Sequence, residues 1–231
     1  LECPLDVVPL HRRWDRKFEI DTCSMSTKNP TRGIPDIRGV NIYTDGSMDN
    51  NSSGAGVVIR EGGNTMTDCD GNERNYSYNL GKNTTVFQSE VFAQKMAATL
   101  IINGSNGGVG WPCNNHITIH CDSQAAIKAL NNVWVKSLLV QQTLDLLDAA
   151  TEHCQGLRIR WVQSHSGHIG NEIADTAARR GRDDHANPDW ETPLLAKAVM
   201  HSEINKMAKR LWINKWDELL ECRQPRQFFP N

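Results

Sequence analysis

The chain has 231 residues, 39 % of them hydrophobic and 23 % charged, with a formal net charge of −2. That is the composition of a globular protein rather than a disordered one, and it lacks the basic excess of a freestanding, tight nucleic-acid binder. No apolar run reaches the roughly 18 residues that a membrane span needs.

Residues 1–38 carry Pro4, Pro9, Pro30 and Pro35 with mixed charge and no sustained period. They are expected to form an arm or linker from an upstream domain, with "HRRWDRKF" (11–18) a solvated turn of helix. Regular structure begins at Val40. "VNIYT" (40–44) alternates as a strand, "GAGVVIR" (54–60) is a second and "RNYSYNL" (74–80) a third, so short turns predict an antiparallel meander. From Thr84 to Ile102 the period becomes helical, with Phe87, Val91, Met96 and Ala98 on the apolar side and Thr84 or Thr85 as N-cap. A Gly/Asn-rich loop (103–116) leads to the strand "ITIHC" (117–121) and a helix opening at "DSQAAIKAL" (122–130). A long amphipathic helix follows over 135–154, with Leu139, Leu144 and Leu147 on its stripe. Then come the strand "LRIRWV" (157–162) and a helix over 170–181, with Asn171 as N-cap and Gly181 as stop.

The order β-β-β-α-β-α-α-β-α predicts an α/β fold: a mixed five-stranded sheet, three strands antiparallel and the later ones parallel through helical crossovers, flanked by helices. The seven cysteines are scattered without CxxC or zinc spacing. They read as reduced thiols of an intracellular protein, nuclear or cytoplasmic. The sequons at Asn51 and Asn83 read as chance matches. The chain opens at Leu1 without Met and reads as a piece of something longer.

Asp45 closes the first strand and Asp122 the fourth. If those strands are parallel neighbours, both carboxylates emerge at one sheet edge, where ligand sites of α/β sheets lie. Glu90, on the first helix, and Asp175, on the last, can reach the same edge. Singly, each acid has an ordinary reading: a turn at Asp45-Gly46, a cap before Ser123, solvated helix positions for Glu90 and Asp175. Together, four converging carboxylates repel one another, and a divalent cation is the usual remedy. Oxygen-only ligands favour Mg²⁺ or Mn²⁺ over zinc.

"YTDGS", "FQSE", "CDSQAAIKAL" and "WVQSHSGHIGNEIADTAAR", in this order, resemble ribonuclease H over about residues 39–183. The resemblance implies a ribonuclease H-like fold and cleavage of the RNA strand of RNA–DNA hybrids. It implies Asp45, Glu90, Asp122 and Asp175 as ligands of two Mg²⁺ (or Mn²⁺) ions. It places His165 at the family's mobile histidine, which helps move protons or release product. Ser123, Gln124 and Asn171 are implied as substrate contacts or loop supports; His168 matches no catalytic position. An Asp-x-Glu pair, expected of a fold-sharing exonuclease, is absent at Asp45-Gly46-Ser47.

The flanks "LECPLDVV" and "LWINKWDELLECRQPRQFFP" (211–230) look like those of non-LTR retrotransposon polyproteins of the jockey or I type. That resemblance implies a covalently linked reverse transcriptase upstream, a ribonuclease H domain over 39–183 and a C-terminal helical tail over 184–231. Trp212 and Trp216 are expected to pack on the domain, and the chain to act as a monomer. No basic loop like the handle of some family members lies between Asp122 and Asp175. The rival reading is a non-catalytic ribonuclease H-like spacer of a reverse transcriptase, which low basicity suits and the full acid set disfavours.

Overall fold

A computed structural model of the chain describes residues 5–8, 14–22, 39–49, 52–61, 63–67, 71–105, 115–184 and 190–218. Its strands are β1 (Glu19–Asp21), β2 (Val40–Met48), β3 (Ser53–Glu61), β4 (Asn64–Thr65), β5 (Asn75–Gly81), β6 (His116–Cys121) and β7 (Gly156–Trp161). They form one sheet in the order β1-β7-β6-β2-β3-β4, with β5 also paired to β3. β2, β3 and β5 are antiparallel, whereas β2, β6, β7 and β1 run parallel. The mixed sheet matches the expectation, with two short strands added. β4 is two residues of the β3–β5 turn, and β1 comes from the segment read as an arm.

The helices are α1 (Val86–Ser105), α2 (Gln124–Asn131), α3 (Leu138–Ala150), α4 (Ile169–Asp183) and α5 (Lys197–Glu218). Side-chain alternation along β2 and β3 distributes two packed layers. Val40, Ile42, Val57 and Ile59 face the large core shared with Val91, Ala98, Leu139, Leu144 and Leu147 of α1 and α3. Tyr43 and Val58 face the other way, onto Ala174 of α4. Burying each of the three α3 leucines is worth about 1.5–3 kcal/mol, and this layer fixes α1 on the sheet.

Local chemistry sets the helix starts. α1 opens with a capping box: Thr85 Oγ1 accepts from the Gln88 amide at 3.2 Å, and Gln88 Oε1 accepts from the Thr85 amide at 3.2 Å. Ser123 caps α2 and Ser137 caps α3, so the helix predicted from 135 begins three residues later. Asn171 is not the cap of α4. His168 holds that position, and Asn171 lies buried inside the first turn. Gly181 is not the stop either, since α4 runs on to Asp183. A Cβ at Gly181 would stand 2.5 Å from the Tyr78 carbonyl oxygen, so glycine is there for close helix–sheet packing.

The flanks touch the domain. Asp6 accepts hydrogen bonds from the Ser137 hydroxyl, the Leu139 amide and Gln88 Nε2, and Leu5 bridges to Leu195. Trp190 Nε1 donates to the Asn79 carbonyl at 2.9 Å. In contrast to the expectation, Trp212 is 59 % exposed, and it stacks on Trp216 at 5.4 Å instead of packing on the domain. Cys121 and Cys154 are free thiols; the other five cysteines, Arg12, Arg13 and most of the Gly-rich loop lie outside the described residues. No helix among the described residues is long and apolar enough to cross a membrane.

Candidate active site

β2 does not end at Asp45, as its sequence suggests, but continues to Met48 against β3. What ends is its pairing on the other side: the β2–β6 ladder stops at Thr44–Cys121. Asp45 is thus the first β2 residue beyond its parallel neighbour, and Asp122 is the first residue beyond β6. α1 brings Glu90 over this edge. A Cβ at Gly46 would lie 2.6 Å from the Glu90 backbone nitrogen, so only glycine there lets α1 come so close.

Asp45, Glu90 and Asp122 each place a carboxylate oxygen within 4.8 Å of the others. Asp45 and Glu90 are both only 7 % exposed. Burial, then the Asp122 charge, pushes the Asp45 carboxyl up from 3.8 to about 8, although the Gly46 amide donates to it at 2.9 Å. Burial, then Asp45 and Asp122, holds the Glu90 carboxyl well above the usual range. With Asp45 and Glu90 buried this close to a third carboxylate, their charge calls for a counter-charge. An all-carboxylate set at this spacing fits a hard divalent cation.

Asp175, on α4, stands near enough to Asp45 to raise it further. It lies outside the three-acid cluster and is engaged by Arg179 at 2.8 Å, four residues on. Asn171 Nδ2 donates to Asp122 Oδ2 at 3.2 Å, and Trp161 Nε1 donates to the Asp122 carbonyl at 2.9 Å. These contacts tether the β6 end to α4 and β7. The four acids, Ser123, Asn171, Arg179, His165 and His168 line one cleft of about 330 Å³. Gln124 does not line it; its side chain accepts from Lys128 along α2.

His165 is exposed and is the one described non-glycine residue with positive φ, +52°. That left-handed conformation costs on the order of 1–2 kcal/mol and turns the loop at the cleft mouth. His168, set aside by motif matching, is 8 % exposed in the cleft wall. Arg179 was not singled out by motif; its place in the cleft beside Asp175 comes from their i, i+4 spacing on α4.

An RNase H family profile matches residues 38–183, well over half the chain. The chain belongs to the RNase H family. It is accordingly a nuclease of the class that hydrolyses the RNA of RNA–DNA hybrids. It is 28 % identical over 173 residues to the Ribonuclease H of Polaromonas naphthalenivorans, covering 68 % of this chain and 93 % of that protein. To the Ribonuclease H of Herminiimonas arsenicoxydans it is 35 % identical over 83 residues, 30 % of this chain and 54 % of that one. Superposition on RNase H1 from the halophilic archaeon Halobacterium salinarum gives a TM-score of 0.44 at 21 % identity, covering 62 % of this chain and 96 % of that one.

Proposed function

We propose that the chain cuts the RNA strand of RNA–DNA hybrids internally, using two Mg²⁺ (or Mn²⁺) ions, within a retroelement polyprotein whose reverse transcriptase lies upstream. The observation that carries the reading is the convergence of Asp45, Glu90 and Asp122 at one sheet edge, in a cleft that also receives Asp175 and His165. Asp45, Glu90, Asp122 and Asp175 would hold the ions, with Asp45 standing beside both the other two acids of the cluster and Asp175. When bound, the ions lower the barrier by activating water and stabilising the leaving oxygen. His165, exposed at the mouth, takes up or delivers a proton at the leaving group. Ser123 and Asn171, which line the cleft, contact the scissile strand. The ribose 2′-hydroxyl distinguishes RNA from DNA.

The catalytic unit in this reading is 39–183, with 1–38 the arm from the polymerase and 184–231 a helical tail. Support for the retroelement setting is the likeness of both flanks. We place the protein in the nucleus or cytoplasm, in keeping with the free thiols of Cys121 and Cys154 among the described residues, and take it to be a monomer. The test is incubation of the chain with a labelled RNA–DNA hybrid, with and without Mg²⁺. Internal cuts in the RNA strand that require the metal are expected; a hybrid left intact in Mg²⁺ and in Mn²⁺ would favour the non-catalytic spacer.

A further inference from the structure

α5 stands clear of the core. Every residue from His201 to Trp212 is exposed, and none of its described side chains belongs to either apolar cluster. Helices in proteins draw most of their stability from packing an apolar face, so the large side chains of α5 are there for a partner outside the domain. Two stripes run along it. Met200, Ile204, Met207 and Leu211, at i, i+4, i+7 and i+11, form an apolar one. Asn205, Lys209, Trp212 and Trp216, at the same spacings, form the other, with Lys206 and Lys215 flanking it on either side. The two indoles lie nearly parallel, 17° apart in plane with centroids at 5.4 Å. α5 holds five cations against three acids, and two of those acids, Asp217 and Glu218, are its last residues, in a chain whose net charge is −2. Lys206 is engaged by Glu203 at 2.7 Å, an exposed pair that water and salt keep weak. Lys209 and Lys215 make no ion pair among the described residues.

We propose that the face of α5 formed by Asn205, Lys209, Trp212 and Trp216 binds an unpaired stretch of nucleic acid, one base continuing the indole stack while Lys206, Lys209 and Lys215 meet the phosphates. Parallel indoles beside cations suit a polyanion that also carries flat rings. A duplex keeps its base faces covered by their neighbours, whereas an unpaired strand offers them. A second copy of α5 on the apolar stripe would instead set two cation-rich helices side by side. The site shares no residue with the acid cleft and needs no metal, so it is separate from the hybrid-cutting reading. It fits a strand that continues beyond the end of a hybrid.

The test is fluorescence anisotropy of a labelled single-stranded oligothymidylate of about 12 nucleotides, titrated with the full chain in chelator at two salt concentrations, with a blunt RNA–DNA hybrid of equal length for comparison. Trp212→Ala is expected to weaken single-strand binding about 5–100-fold, and Trp212→Phe, which keeps a ring, less. Lys209→Gln should flatten the slope of log affinity against log salt by about 0.7, the share of one phosphate contact on a single strand. Trp212→Ala should leave hybrid binding and Tm unchanged, because the residue is exposed. Equal single-strand affinity in wild type and Trp212→Ala overturns the proposal, as does a wild type that binds no single strand at low salt. Equal losses on single strand and hybrid would replace the stacking site with a general cationic one and overturn it too. A lower Tm in Trp212→Ala would make the indole a packing group, with the same consequence. A chain that sediments as a dimer, returns to monomer with Leu211→Lys and binds the oligonucleotide no worse as Trp212→Ala would assign α5 to a second copy instead.

Discussion

Asp45 sits where a strand outlasts its neighbour, and its environment sets two expectations. Its carboxyl is raised to about 8, so the metal-free fold binds a proton there more tightly than the unfolded chain does. That contribution is present at low pH and is lost as pH rises from 3.8 to about 8. Asp45→Asn should therefore unfold at higher temperature than wild type in chelator at about pH 9, by at least 2–4 °C per kcal/mol recovered. The gap should narrow as pH falls, while hybrid cleavage in Mg²⁺ is abolished. Equal melting temperatures at high pH would mean the cluster is more solvated than its geometry implies, and near-normal turnover would remove it from catalysis. His165→Ala should slow turnover by about 10²–10⁴-fold, the usual worth of general acid–base help, and leave Mn²⁺ stabilisation unchanged. A rate equal to wild type would take His165 out of the mechanism. The acids and His165 were readable because each stands in a short motif. The hydrogen bond from Asn171 to Asp122 was not, since the two meet only in space.

At the scale of elements, the Thr cap of α1 was legible and the apolar stripe of α3 named its buried leucines, whereas the cap of α2, read at Asp122, falls on Ser123. α4 misled because Asn171 looks like a cap and Gly181 like a stop. In the fold the Asn171 side chain lines the cleft, and the lack of a side chain at Gly181 allows the close contact with β5. Asp6 was invisible as a structural residue: it lies 131 residues from Ser137 in sequence. It accepts from the Ser137 hydroxyl at 2.8 Å and from the Leu139 amide at 2.9 Å, at the positive end of the α3 dipole. Asp6→Ala should cost about 1–2 kcal/mol, or about 2–8 °C in Tm, read by thermal unfolding, and Asp6→Asn about half of that. An unchanged Tm would show that this segment does not dock in solution.

For the molecule as a whole, the order of elements and the mixed sheet flanked by helices followed from the alternation of periods along the chain, whereas the order of strands within the sheet did not, and the edge strand β1 had no signal beyond three residues. Four arginines of β7 and α4 that could meet phosphates are already engaged within the chain. Arg158 is with Glu19, Arg160 with Asp21, Arg179 with Asp175, and Arg180 with the Ser77 hydroxyl. Binding of hybrid by the Asp45→Asn chain should accordingly be roughly micromolar or weaker at physiological salt and should fall further as salt rises. A titration showing nanomolar, salt-insensitive affinity would point to a grip outside the domain. β1 itself does something the catalytic reading never requires. It occupies the outer edge of β7, and its acids neutralise the two outward arginines there. Cut the chain at residue 39 and that edge is bare, guarded only by the mutual repulsion of Arg158 and Arg160 between molecules. Salt weakens such a guard within a Debye length of about 8–10 Å. The truncated protein should therefore stay dispersed in dilute buffer and associate edge to edge as salt is added, the reverse of an ordinary charge-driven complex, and light scattering would follow it.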